Sequence, residues 1–189
     1  MDNLSTDIIL NIIKTLDFKD MINISKINKY FRNIIRDNNN NISIYMVVNK
    51  FNCHILDDCL KYYPKTKLCY NNLKHYDETI MNKYNNNWYE LNLFNCKNIT
   101  DSLLINYDFK NIHTLKISHC NKITGYFLGN YTLKNVHTLD LSECVNITDF
   151  SINSGDLSNV HTLKLSHCKN ITDFFLNSLA LSNVHTLRL

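Results

Sequence analysis

Two residue types capable of chemistry recur along this chain at a fixed step. Cysteines stand at 96, 120, 144 and 168, and histidines at 113, 137, 161 and 185, so both series share a 24-residue step. Thiolates and imidazoles are the common protein ligands of zinc, and paired thiols form disulfides. Neither chemistry suits this spacing. A fixed step puts one such residue in each stacked unit, with equivalent atoms about 4.8 Å apart along the stack. Their Cβ vectors then run parallel, whereas a disulfide or a tetrahedral metal site needs them to converge. The cysteines are therefore expected to be free thiols filling the turn after each strand. The histidines are expected to form a surface ladder where each strand begins. His119 and His167, with Glu143 between them, occupy another column and are candidates for a binding face. Serines, histidines and aspartates fall in parallel rows, not in converging triads. There is no Gly-rich phosphate loop, no His-Glu-x-x-His and no nucleophile elbow. The expectation is no catalytic residue, no metal, no cofactor, and hence no enzyme.

The elements that carry these columns follow from the same period. Asn-(Ile/Val)-His-Thr-Leu begins at Asn111, Asn135, Asn159 and Asn183, with a weaker copy at Asn87. Isoleucines at 99, 123, 147 and 171 and threonines at 100, 124, 148 and 172 keep the step. In one unit Leu115 and Ile117 alternate with Lys116, as in a strand with one buried face. Thr124 then marks a helix start, with Phe127 and Leu128 on its inward side. Threonine caps helices well, and Asp101, Asp149 and Asp173 favour the positive end of the helix dipole. Gly125 breaks that pattern and predicts the weakest helix start. One strand and one helix per period cannot bury their own apolar face, so the units must stack.

Residues 87–189 thus resemble the leucine-rich repeat, in particular its cysteine-containing variety. The motif of that variety reads Cys96-Lys-Asn-Ile-Thr-Asp101, Cys144-Val-Asn-Ile-Thr-Asp149 and Cys168-Lys-Asn-Ile-Thr-Asp173. The resemblance implies an α/β fold: a leucine-rich-repeat solenoid with a curved parallel sheet and short convex helices. The chain stops at Leu189, in the strand of a fifth unit, which leaves that strand bare. Either a longer array is truncated here or another molecule covers the end, and self-association of the isolated chain is expected.

Before the repeats, Leu4, Ile8, Ile12 and Leu16 step by four, with Ile9 and Ile13 widening the stripe into an amphipathic helix. Asp17 and Asp20 flank a break, and Met21, Ile24, Ile27 and Phe31 line a second helix. So short a helix pair buries little by itself and wants a partner. Residues 4–32 resemble an F-box. That family's pattern opens on a leucine with an acid three later, then runs through a helix to a leucine. An aspartate-leucine pair, a serine and an aromatic follow. Leu4, Asp7, Ile12, Leu16, Asp20-Met21, Ser25 and Phe31 fall in step with it. Ser5 stands where proline is usual, and Asn28 where cysteine is common. The domain reading is a small all-α F-box-like segment at 1–36, a linker with decayed capping repeats at 37–86, and the repeats at 87–189. A helical bridge is the other reading of 42–86.

Composition sets the outer bounds. The chain has 189 residues, 44% hydrophobic and 20% charged, which suits a folded domain plus a repeat array. A net charge of +3, with no block of like charges, argues against nucleic acid or an acidic membrane as partner. Three glycines and one proline, Pro64, are too few for the turns of a sandwich or barrel. Heavy use of Asn, Ile, Lys and Tyr fits AT-rich codons, as in an AT-rich protist or large DNA virus. No signal peptide and no transmembrane run is visible, so seven cysteines are expected in a reducing cytoplasm, a host's if the chain is viral.

Resemblance to F-box proteins implies a substrate-recognition adaptor of an SCF-type ubiquitin ligase. Leu4, Ile8, Ile12, Leu16, Met21, Ile24 and Ile27 would dock a Skp-family adaptor and, through it, a cullin. The repeats would hold the target protein on the concave strand face. Asn92, Lys116, Asp140, Lys164 and Arg188 point outward there, beside Phe94, Ser118, Ser142 and Ser166. A plain interaction scaffold without a ubiquitin role is the alternative. A nucleic-acid binder is a third, suggested by Lys116, Lys164 and Arg188 and opposed by Asp140 and Glu143.

Overall fold

The structure is a computed structural model, and the residues it describes are 45–48, 56–57, 60, 67–71, 78–130, 133–177 and 181–189. The chain divides into two compact units, Met1–Leu68 and Cys69–Leu189. In the first lies strand β1 (Tyr45–Val48), and Leu56 is fully buried. Strand β2 (Lys67–Asn71) spans the division, and helix α1 (Glu78–Lys83) follows it.

The second unit is built on five parallel strands in chain order: β3 (Trp88–Asn92), β4 (Thr114–Lys116), β5 (Thr138–Asp140), β6 (Thr162–Lys164) and β7 (Thr186–Arg188). Each strand residue pairs with its equivalent one period on, so Leu91, Leu115, Leu139, Leu163 and Leu187 form one unbroken row. This arrangement is compatible with an α/β repeat solenoid. Its core is a set of such rows. Leu93, Ile117, Leu141 and Leu165 lie beside the first row, and Ile99, Ile123 and Ile147 close the core behind the cysteines. Fully burying a side chain of this size stabilises by about 1.5–3 kcal/mol. In the weaker copy the place of Ile or Val is taken by Trp88, fully buried, with Nε1 donating to the Met81 carbonyl at 3.0 Å.

Strands β3 to β6 each end in a turn whose pivot has positive φ: Asn95 at 54°, and His119, Glu143 and His167 at 60°. No glycine stands there. The pivots Asn95, His119 and Glu143 instead donate their N–H to the serine carbonyls of the next unit, at 2.8–2.9 Å, which offsets the left-handed cost. Behind the turn comes a single helical turn. Helix α2 (Asp101–Ile105) is capped by Thr100, and helix α3 (Asp149–Asn153) by a Thr148–Ser151 capping box. After Gly125, at φ 88°, there is only a 3-10 turn, η1 (Tyr126–Asn130). The expected weak start is there, but the fourth unit departs from expectation: η2 (Asp173–Asn177) is also 3-10 although it keeps Thr172-Asp173.

The aspartates bind across units as well as sitting at their own helix starts. Asp101 accepts hydrogen bonds from Thr124 N–H at 2.9 Å and Oγ1 at 3.0 Å, and from the amides of Gly125 and Phe127. Asp149 does the same for Thr172, from N–H at 2.8 Å and Oγ1 at 2.6 Å. Asparagine amides staple the other side. Asn111, Asn146, Asn170 and Asn183 each donate Nδ2 to a backbone carbonyl of the preceding unit, at 2.5–3.2 Å. Asn135 binds the Lys110 carbonyl in the same way. These five asparagines therefore have a structural reason beyond codon bias.

Candidate functional site

With the leucine rows turned inward, the intervening strand positions face out on the sheet. Asn92, Lys116, Asp140, Lys164 and Arg188 stand in register on β3 to β7. Phe94, Ser118, Ser142 and Ser166 form the next row; Phe94 is exposed and the serines are half-buried. All nine target-face residues named from the sequence thus share one surface.

The charges on this face are largely spent on one another. Lys116 Nζ meets Glu90 Oε1 at 2.5 Å, and Lys164 Nζ meets Asp140 Oδ2 at 3.4 Å. Burial would raise the Asp140 carboxyl, but hydrogen bonds from Ser142 and the Lys164 charge outweigh it and hold the group below its usual range. The Ser142 N–H donates to Asp140 Oδ1 at 3.1 Å, and the Phe94 N–H to Asn92 Oδ1 at 3.2 Å. Arg188 is exposed and makes no ion pair among the described residues. Two of the three cations behind a nucleic-acid reading are therefore compensated within the sheet. From β3 to β7 the outward row reads neutral, positive, negative, positive and positive.

Next to it, on the positive-φ pivots, His119 Nε2 lies 2.8 Å from Glu143 Oε1, and Phe94 meets the His119 ring edge-on at 4.9 Å. The structure thus joins the separate His119–Glu143 column to the aromatic end of the face. His167 is exposed farther along.

The other histidines form a ladder at the strand starts. Tyr89 stacks on His113 at 4.5 Å; His113, His137, His161 and His185 follow at 5.0, 5.1 and 5.4 Å between ring centroids. His113 Nδ1 and His137 Nδ1 are 3.0 Å apart, so one ring donates and the other accepts. Among the described residues, no group of three His, Cys, Asp or Glu is placed to hold a metal ion. Cys96, Cys120, Cys144 and Cys168 are buried free thiols. The thiols of Cys120, Cys144 and Cys168 donate to the Leu93, Ile117 and Leu141 carbonyls at 3.1–3.2 Å. Burial pushes Cys120 up to about 11 and Cys144 up to about 12, far from the thiolate that nucleophilic or metal chemistry requires. Cysteine fits the column because it is small, apolar and able to make one weak donor bond.

One signal escaped the sequence reading. Tyr126, Phe150 and Phe174 also keep the repeat step, and all three rings are exposed. They sit in the first helical turn of their units; in the second unit that turn also carries the inward Phe127 and Leu128.

Comparison with known families bears on the N-terminal segment. Residues 1–43 match the F-box domain. No curated protein matches the chain. The match spans under a quarter of the sequence and covers Leu4, Ile8, Ile12, Leu16, Met21, Ile24 and Ile27, all of which lie outside the described residues. F-box domains generally bind Skp-type adaptors, and F-box proteins are generally adaptors rather than enzymes. The match therefore supports an F-box protein with a general role as a ubiquitin-ligase substrate adaptor. Among the described residues, no helix is long and apolar enough to cross a membrane.

Proposed function

We propose that this chain is a cytoplasmic substrate-recognition subunit of an SCF-type ubiquitin ligase, with a leucine-rich-repeat solenoid as its recognition part. The observation that carries the reading is the F-box match at residues 1–43. Leu4, Ile8, Ile12, Leu16, Met21, Ile24 and Ile27 dock a Skp-family adaptor, which ties the chain to a cullin. The outward sheet face from Asn92 to Arg188 holds the target protein. Its register supports this use: parallel strands one period apart present rows of side chains on a rigid surface, with Phe94 and His119 as an aromatic anchor at one end. The role is positional. A target held on the face is brought near a ubiquitin-charged enzyme elsewhere in the assembly, and no side chain here makes or breaks a bond.

Capture of a Skp-family adaptor by the full chain tests the docking half. Covering one apolar side chain at the interface is worth about 1.5–3 kcal/mol, so Leu16→Asp or Met21→Asp should weaken capture at least tenfold. Far-UV helicity should stay close to that of the parent. Equal capture by variant and parent would remove the assignment.

A further inference from the structure

Soluble proteins bury their large aromatics, yet Tyr126, Phe150 and Phe174 are 74%, 80% and 73% exposed. They occupy the same place in three successive units, on the helix side, away from the sheet face. The unit before them has Ser102 at that place, so the stripe begins at Tyr126, and Phe150 stands between the other two of its three rings here. Leu176, 45% exposed, adds to its apolar surface. Between Tyr126 and Phe150 runs an open groove of about 470 Å³ whose floor includes Thr124, Gly129, Ser151 and Ser154. The Ser151 and Ser154 hydroxyls are engaged with backbone carbonyls, which leaves the aromatic walls to decide what binds.

The charges around the stripe have a direction. Asp101 and Asp149 are each engaged by the threonine of the following unit, whereas Asp173 is exposed and forms no ion pair among the described residues. At the opposite end Gly125 replaces the aspartate, and exposed Lys122 is likewise without an ion pair among the described residues. Along the chain an exposed cation, Lys122, thus precedes Tyr126, and an exposed carboxylate, Asp173, precedes Phe174.

We propose that this stripe is an isologous interface through which two copies of the chain pair, helix side to helix side, with their arrays antiparallel. A two-fold axis beside Phe150 seats each Phe150 ring in the partner's Tyr126–Phe150 groove. It also turns Tyr126 towards the partner's Phe174 and sets Lys122 opposite the partner's Asp173, twice. An aromatic side chain buries roughly 150–250 Å² in full. At three-quarters exposure, three rings from each copy supply roughly 700–1,100 Å² together. Leu176 and the groove rim bring the total to the lower limit of a specific interface, about 1,200 Å². An interface of that size lies at the low end for specific contacts and among the transient ones, so pairing is expected to depend on concentration. The sheet faces stay free, so a paired molecule presents two recognition surfaces.

Sedimentation velocity of the full chain over a wide concentration range tests this. A monomer–dimer equilibrium is expected, and Phe150→Glu should abolish it. Lys122→Asp and Asp173→Lys should each weaken pairing about tenfold, by setting like charges opposite each other. The double variant, which restores opposite signs, should recover most of the parental affinity. Circular dichroism identical to the parent keeps a folding defect from imitating loss of pairing. A strictly monomeric parent overturns the proposal. So does a dimer indifferent to Phe150→Glu, which would place association on another surface such as the β7 edge. Failure of the double variant to recover would refute the antiparallel register.

Discussion

Gly125 offers the sharpest test of how the units fit together. Its φ of 88° lies where a side chain strains the backbone, and a Cβ there would stand 2.6 Å from Ser151 Cβ and 2.9 Å from Ile147 Cδ1. The backbone part of Gly125→Ala costs roughly 1–2 kcal/mol. Forcing a methyl into a filled site adds roughly 1–3 kcal/mol, because Ser151 Cβ is held by a capping box and cannot rotate away. The sum is roughly 2–5 kcal/mol, a large share of the stability of a small domain. Gly129 supplies the control: its Cβ would meet only the Ser154 carbonyl oxygen, at 3.6 Å, which is ordinary contact. Gly129→Ala should therefore be neutral or slightly stabilising, by roughly 0.4–1 kcal/mol. Urea unfolding can be followed through the sole tryptophan, Trp88, which is fully buried, and through far-UV circular dichroism. Ser151→Gly alone removes the capping box, so it serves as its own reference: against it, Gly125→Ala should cost less than in the parent, by the part of the steric share that Ser151 supplies. A Gly125→Ala midpoint equal to that of Gly129→Ala would refute the reasoning.

Three further outcomes are expected. The Asp140 carboxyl is held below its usual range when folded, so its contribution is present above the unfolded value near 3.9 and is lost as pH falls through the folded value. The stability gap between parent and Asp140→Asn should therefore shrink from about pH 5 downward, and a gap constant to pH 2 in urea titrations contradicts it. Cys120 and Cys144, buried and raised to about 11 and about 12, should resist iodoacetamide at pH 8 until urea is added; mass spectrometry of the native protein showing rapid labelling would count against that. Lys116→Glu with Lys164→Glu sets like charges against Glu90 and Asp140 and should abolish target capture while sparing adaptor capture. Unchanged target capture would move the recognition surface off the sheet face.

The period made the strand rows readable before any coordinates, because a constant step forces residue-on-residue register and identical inward positions. Leu115, Ile117 and Cys120 needed nothing more. What stayed hidden were contacts between units, where the partner is set by stacking geometry. Asp149 reads as a helix-dipole residue in its own unit, and only the stack shows it accepting from Thr172. The left-handed pivots escaped notice because His119 and Glu143 are not glycine, and their support comes from serine carbonyls one unit away. Lys116 and Lys164 read as free cations for the same reason: their acidic partners, Glu90 and Asp140, lie one unit back. The face itself could be named from alternation alone, but not its internal neutralisation.

The contact between Gly125 and Ser151 also limits how such an array can be edited. Joints built from Asp and Thr are alike from unit to unit, so one whole repeat can in principle be cut out or copied with donors and acceptors still matched. The joint after Gly125 is different, because Ser151 occupies the volume that a Cβ at position 125 would fill. Exchanging the second unit for another would bring an aspartate into that space, and exchanging the third for the fourth would set Phe175 in the place of Ser151 against the glycine. The second and third units must therefore be inherited as a pair, and recombination within this gene is expected to respect that boundary while tolerating exchange at the others.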